Sequence, residues 1–444
     1  MVDWSKLPDV GAVALLACAF ASVARSSNTP ASKIWLTAWV MIGLHFTALI
    51  FSPVSGIPGI LAIFVALSAL TWAGILFMWA SVPFRFEKSS RWMVGIFLTV
   101  NTLYIGVSVA GPAAAWALVP AAVLFGALPL ALTLFSIRRF HHPLRWAMAL
   151  FYCALAGFLL AVQNRPDGQE LALNAVLFTI YFSCCIHFLC LYHRATTGAF
   201  VTIAGFLAWA SVFVVGPLMA AFWPQVHIEG EVWNLPKYVV AVGMTLILLE
   251  NQIEDNKYLA LHDALTGLPN RRLFQDRLAS ALERARRTKT QTALLVVDLN
   301  RFKLVNDTLG HHIGDLLLRH VASVLNGRVR RSDTVARTGG DEFSVILEEP
   351  TSREEARSVG NSLHSLLKQP LRIGDQWVRV SASIGIAVFP EDAGNMESLC
   401  IAADLRMYDV KNASAPFAEH VSPKMENLVA PASCLANPGL QDSQ

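Results

Sequence analysis

Through the first half of the chain, long apolar runs alternate with short polar breaks. A helix crosses a bilayer with about 17–25 apolar residues. Stretches near that length fall at 9–24, 34–51, 60–82, 92–109, 116–137, 146–162, 171–192, 200–222 and 238–249. They predict nine membrane spans, or eight if Ala19-Phe20-Ala21 marks a cleaved leader. After Glu250 the pattern changes to shorter elements. Apolar spacing predicts helices at 271–287, 313–326, 353–367 and 396–411, and strands at 292–299 and 377–389. A hairpin is expected from 333–336 and 343–347 around Gly339-Gly340, whose glycines would supply the positive φ of a tight turn. Helices and strands interleaved around a hairpin imply an α+β domain following an all-α polytopic membrane domain. Between the two, Leu246, Leu249, Ile253, Asn256 and Ala260 recur every three or four residues, so residues 250–260 are expected to be a helical connector.

Charge sharpens this division. Only 15% of residues are charged, against about 25% in soluble domains. Between Asp9 and Glu229 the acids are Glu87, Asp167 and Glu170 alone, whereas acids are frequent after Glu250. Basic breaks (Arg25 and Lys33; Arg85, Lys88 and Arg91; Arg138, Arg139 and Arg145; Arg194) alternate with breaks that are uncharged or acidic. Positively charged loops stay in the cytoplasm, which puts the amino terminus outside and the second half inside. A net charge of +3 with no basic stripe gives no reason to expect nucleic acid as a partner. The seven cysteines lack metal-ligand spacing and read as buried thiols. His45 and His187 fall inside spans; hydrogen bonding between helices is the simpler expectation, haem or copper binding the sharper one.

The chemistry gathers in the second half. Asp298 ends a buried-strand pattern, and Arg337-Thr338-Gly339-Gly340-Asp341-Glu342-Phe343 sets two acids beside side-chain-free backbone. Such acids suit Mg²⁺, a hard cation that takes oxygen ligands and is often shared with nucleotide phosphates. In chain order, Asp263-Ala264-Leu265-Thr266-Gly267-Leu268-Pro269-Asn270-Arg271-Arg272, Asp298-Leu299-Asn300-Arg301-Phe302-Lys303, and Asn306-Asp307 with His311-His312-Ile313-Gly314-Asp315 precede this signature. Ser383-Ile384-Gly385 and Ala403-Asp404-Leu405-Arg406-Met407-Tyr408 follow it. This series resembles the GGDEF domains, the diguanylate cyclases of bacteria. The likeness covers residues 258–412 and says nothing of the membrane half.

The resemblance implies a palm-like antiparallel sheet of the nucleotide-cyclase type over 261–415; beside it, 1–249 is expected to be a sensory region and 416–444, from its composition, a disordered tail. It implies condensation of two GTP into cyclic di-GMP by a homodimer in the inner membrane. Mg²⁺ (or Mn²⁺) would be held by Asp298, the Leu299 carbonyl and Asp341. Asp341 or Glu342 would accept the proton, and Lys303 would stabilise phosphate charge. Asn306 and Asp315 match guanine-reading positions. Phe302, His311, Gly339, Gly340 and Lys411 match other substrate contacts. Arg330 and Asp333 match an inhibitory site for the product. Two departures stand out: Asn300 occupies the place of a frequent second acid, and Asn412-Ala413-Ser414-Ala415 lacks an arginine expected after Lys411. The alternative is a catalytically weak module that binds GTP or cyclic di-GMP and signals to a partner.

Overall fold

In the computed structural model, strand β1 (Thr292–Asn300) is the axis of the second half, and all but its last position is buried. The structure describes residues 2–27, 29–81, 88–110, 119–120, 123, 144–162, 165, 167–191, 196–226, 232–350, 352–373 and 376–413. The chain divides into two compact units, 1–254 and 255–444. Most of the expected span 116–137, the tail 416–444, and Arg85, Arg138, Arg139 and Arg194 lie outside the described residues.

The first unit is helical, with helices Leu7–Ser27, Pro30–Leu49, Ile57–Ala80, Lys88–Ala110, Leu144–Val162, Gly168–Leu191, Thr197–Phe222 and Leu235–Leu261, the last running on past Glu254. Among the described residues, five segments are long and apolar enough to cross a membrane: Trp4–Arg25, Ile57–Ala80, Gly168–Leu191, Thr197–Phe222 and Val232–Leu261. Val94–Ala110 and Trp146–Val162 are shorter apolar helices. Small residues bring two of the long helices together. A Cβ on Gly243 would lie 2.6 Å from the Thr202 backbone nitrogen, and one on Gly205 would lie 3.0 Å from that of Val240. The close approach of backbones that glycine permits is a common way for membrane helices to associate. His45 hydrogen-bonds the Ala66 carbonyl of the next helix through Nδ1 at 2.8 Å, and His187 does so within its own helix, to Ser183. His45 thus makes the expected hydrogen bond between helices, whereas the bond of His187 is local to its helix.

In the second unit, β1 pairs antiparallel with β3 (Glu342–Glu348) on one side and β6 (Ser381–Phe389) on the other. Strand β2 (Thr334–Arg337) completes the sheet in the order β2-β3-β1-β6. Helices cover both faces, which is why β1 reads as continuous rather than alternating hydrophobicity. Leu295, Val297 and Leu299 pack with Leu317, Val321, Leu325 and Leu363, from helices His311–Arg328 and Arg353–Leu367. Leu294 and Val296 pack on the other face with Phe274, Leu278, Leu282 and Leu399, from helices Arg271–Thr288 and Met396–Ala413. Each fully buried Leu or Phe contributes about 1.5–3 kcal/mol, so the position of β1 is strongly specified. Gly385 sets the last helix: a Cβ there would fall 2.0 Å from the Ala403 carbonyl oxygen. The helix therefore lies directly on β6.

Two expectations need correction. The strand expected at 377–389 is broken into β5 (Gln376–Val378), which pairs with β4 (Leu371–Ile373) as a separate hairpin, and β6. Val378, Val380 and Ala382 are all buried in one cluster, so the alternation runs unbroken through the point where the pairing partner changes. The other concerns Gly339-Gly340. Among the described residues the glycines with positive φ are Gly56, Gly267 and Gly310, so the hairpin turn uses no left-handed glycine.

Candidate active site

The turn joining β2 to β3 is held from outside. Both Thr338 and Gly339 point their amides at the Glu342 carbonyl, at 3.0 and 3.3 Å. Gly339 lies under the Glu342 side chain: a Cβ would meet its Oε2 at 2.8 Å, whereas one on Gly340 would meet nothing within 4 Å. Arg337 donates to the Gly340 carbonyl from Nη2 at 2.6 Å and from Nε at 3.2 Å. Its Nη1 binds both carboxylate oxygens of Asp263, at 3.0 and 3.1 Å. Asp263 also accepts from the Thr266 amide and hydroxyl, at 2.8 and 2.6 Å. Burial opposes the charge on Asp263, but the bonds from Thr266 and Arg337 outweigh it and lower its pKa. The segment that begins at Asp263 thus braces the turn through Arg337, a positioning residue that sequence reasoning missed. The alternation of acids and bases gave no sign of this pairing across 74 residues.

The acids converge where β1 meets this turn. Asp298 sits directly opposite Glu342 in the β1–β3 register, and the Leu299 amide donates to the Asp341 carbonyl at 3.2 Å. Asp298 is buried, at 6% exposure. Its Oδ1 accepts from Lys411 Nζ at 2.7 Å, brought there by the last helix. Burial pushes the Asp341 carboxyl above its ordinary range, and the Asp298 charge adds to this, while Lys411 and Arg337 pull it back. Glu342 is raised as well, by burial and then by Asp298, Asp404 and Asp341, against Lys411.

The donor set suits a hard divalent cation. Asp298, Asp341 and the Leu299 carbonyl offer only oxygen, and an ammonium already occupies a cation position against Asp298. Two carboxylates and a backbone carbonyl leave coordination places for water and phosphate, as Mg²⁺ prefers. Asn300, in place of an acid, is committed elsewhere. Its amide donates to Ser381 Oγ at 3.2 Å and its oxygen accepts from Ser383 Oγ at 2.9 Å, tying β1 to β6.

The expected nucleoside contacts lie on two helices next in sequence. Arg301, at φ 58°, leads into the short helix Phe302–Leu309, which ends at Gly310. Phe302 packs into the core cluster. Lys303, His311 and Asp315 are exposed. Asn306 lies against helix His311–Arg328, where a Cβ on Gly314 would come within 1.9 Å of its Oδ1. Arg330 and Asp333 line a separate cleft of about 290 Å³ with Arg328, Glu348 and Glu355. Arg330 donates to Glu355 from Nη2 at 2.6 Å, while Asp333 accepts the amides of Arg330 and Glu348.

Residues 260–415 match the family described as diguanylate cyclase, GGDEF domain. The bifunctional diguanylate cyclase/cyclic di-GMP phosphodiesterase MucR of Pseudomonas aeruginosa is 48% identical over 189 residues, which cover 39% of this chain and 27% of MucR. Diguanylate cyclase TpbB of the same organism is 40% identical over 164 residues, covering 37% of this chain and 38% of TpbB. The match therefore spans less than half the length of either curated relative. A crystal structure of the GGDEF domain of TpbB is 41% identical and covers 34% of this chain and 93% of that one, with a TM-score of 0.33. Residues 260–415 are thus a GGDEF domain, of the family described as diguanylate cyclase.

Proposed function

We propose that the protein is a membrane-bound diguanylate cyclase that joins two GTP into cyclic di-GMP and releases two pyrophosphates. The observation that carries this reading is the gathering of Asp298, Asp341 and Glu342 at the end of a buried strand beside a bare-backbone turn. In each of two steps a bond forms between a ribose 3′-oxygen and an α-phosphorus. The bond from that phosphorus to the pyrophosphate oxygen breaks. Mg²⁺ or Mn²⁺ held by Asp298, the Leu299 carbonyl and Asp341 would supply charge neutralisation at the phosphates.

The remaining work belongs to the side chains. Asp341 or Glu342 takes the hydroxyl proton; burial and neighbouring acids have strengthened the proton affinity of both. Lys303 and Lys411 face phosphate charge. Asn306 and Asp315 read the guanine edge, the amide and carboxylate matching its donors and acceptors. His311 and Phe302 flank the substrate, and Gly339-Gly340 let phosphate approach the backbone. Each domain holds one GTP, so the working form is a homodimer. The first unit is a sensory region in the inner membrane, with the catalytic domain in the cytoplasm. Arg330 and Asp333 bind cyclic di-GMP as inhibitor. The test is incubation of the full-length protein with GTP and Mg²⁺, with chromatographic detection of cyclic di-GMP. Product from wild type and none from Asp341→Ala is expected; GTP binding without product from wild type overturns the reading in favour of a binding module.

A further inference from the structure

Resting on the cyclase reading, we propose that Lys411 is the resident cation of the metal-free site and makes metal binding conditional on nucleotide. The two partners of the Lys411–Asp298 pair are unequal. The Asp298 side chain is 8% exposed and that of Lys411 is 45% exposed. A buried carboxylate without a counter-charge is costly, so Asp298 holds the ammonium, while the half-exposed Lys411 side chain has room to swing to another anion. Among the described residues Asp298 has no other side-chain ion pair, and the other cation near the cluster, Arg337, is committed to Asp263 and Gly340. Lys411 also acts on Asp341, together with Arg337, and on Glu342, so its charge is felt by all three acids. No further Lys or Arg follows it until Lys424.

A divalent cation arriving alone at Asp298 must displace this ammonium and gives it nothing in return. A cation arriving with a nucleoside triphosphate brings phosphate oxygens that accept the released ammonium. The carboxylate–ammonium contact is then exchanged for carboxylate–metal and ammonium–phosphate contacts. The exchange needs only a side-chain swing, because the helix carrying Lys411 is pinned to β6 where Gly385 meets Ala403. Metal and nucleotide therefore enter together, and the empty enzyme does not hold metal in an unproductive form.

The test is Mn²⁺ binding to the full-length protein, read from the electron paramagnetic resonance signal of free Mn²⁺. It is run with and without the unreactive guanosine α,β-methylene triphosphate. Without nucleotide, Lys411→Met should bind Mn²⁺ roughly tenfold tighter than wild type, the size expected for removal of one charge-assisted contact. The analogue should tighten Mn²⁺ binding strongly in wild type and far less in Lys411→Met, while Lys411→Arg keeps the wild-type behaviour. Met is a good helix former at this half-exposed last-turn position, so the fold should be retained. If Asp298→Asn abolishes Mn²⁺ binding but Lys411→Met binds no tighter than wild type, the role of Lys411 is overturned and the site stands. If Mn²⁺ binding survives Asp298→Asn, the metal lies elsewhere and both readings fall.

Discussion

Replacing Arg337 by Met tests whether the brace on the Gly-Gly turn matters to catalysis. Arg337 is 12% exposed in its side chain and Asp263 24% exposed. Pairs on the open surface are worth up to about 1 kcal/mol, and breaking a fully buried one costs about 3–5 kcal/mol. Partial burial places this loss between them, at about 2–3 kcal/mol, because Asp263 keeps its Thr266 bonds while the Gly340 carbonyl loses both its donors. The kinetic effect should exceed what stability alone predicts. Asp341 follows Gly340 directly, and a misplacement of about 1 Å in a catalytic group costs on the order of 100-fold in rate. The assay pairs initial rates of cyclic di-GMP formation with hydrogen exchange at the amides of residues 338–342. Asp263→Asn should lose less, since Arg337 still reaches Gly340, and the double variant should be no worse than Arg337→Met if the two act as one unit. Wild-type turnover and unchanged exchange in Arg337→Met would refute the reasoning.

Two further expectations concern neighbouring structure. Gly314→Ala places a Cβ 1.9 Å from Asn306 Oδ1, so the amide must swing away, while alanine itself suits the helix better by about 1 kcal/mol. Steady-state kinetics should show the KM for GTP raised by about tenfold in a stable protein; an unchanged KM would remove Asn306 from the nucleotide contacts. Asp392 accepts from Arg406 at 2.6 and 2.7 Å, from Arg353 at 2.7 Å and from the Val388 amide at 2.7 Å. The Arg406 bonds hold its carboxyl well below the usual range against the effect of burial, helped by Arg353 and Val388. A depressed folded pKa stabilises fully above the unfolded value near 3.8 and is lost as pH falls through the folded one. Asp392→Asn should therefore cost about 2–3 kcal/mol at neutral pH, with the gap in thermal unfolding closing as the pH drops below about 4; a gap that does not change with pH would contradict this.

What the sequence discloses and what it conceals follow a physical line. The burial of β1 was legible because both its faces are covered, so Leu294 to Val297 form an unbroken apolar run with Asp298 at its end. Helix 353–367 was legible from amphipathic spacing alone. The β4–β5 hairpin was not, because the side-chain alternation of Val378, Val380 and Ala382 is indifferent to which strand accepts the hydrogen bonds. Gly339-Gly340 was marked correctly but for the wrong cause. The composition reads as positive φ, whereas the turn keeps ordinary φ and folds the side chain of Glu342 back on Gly339. The same limit governs the charges. Asp263 with Arg337 and Asp298 with Lys411 are 74 and 113 residues apart, and each pair exists only because a helix or strand end is docked by residues elsewhere. An acid in a sequence shows its charge but not whether it keeps its water. Asp298 is buried, and the last helix, which Gly385 lets lie directly on β6, carries the Lys411 ammonium to it, so that a strand-end aspartate acquires a counter-charge from a residue far along the chain.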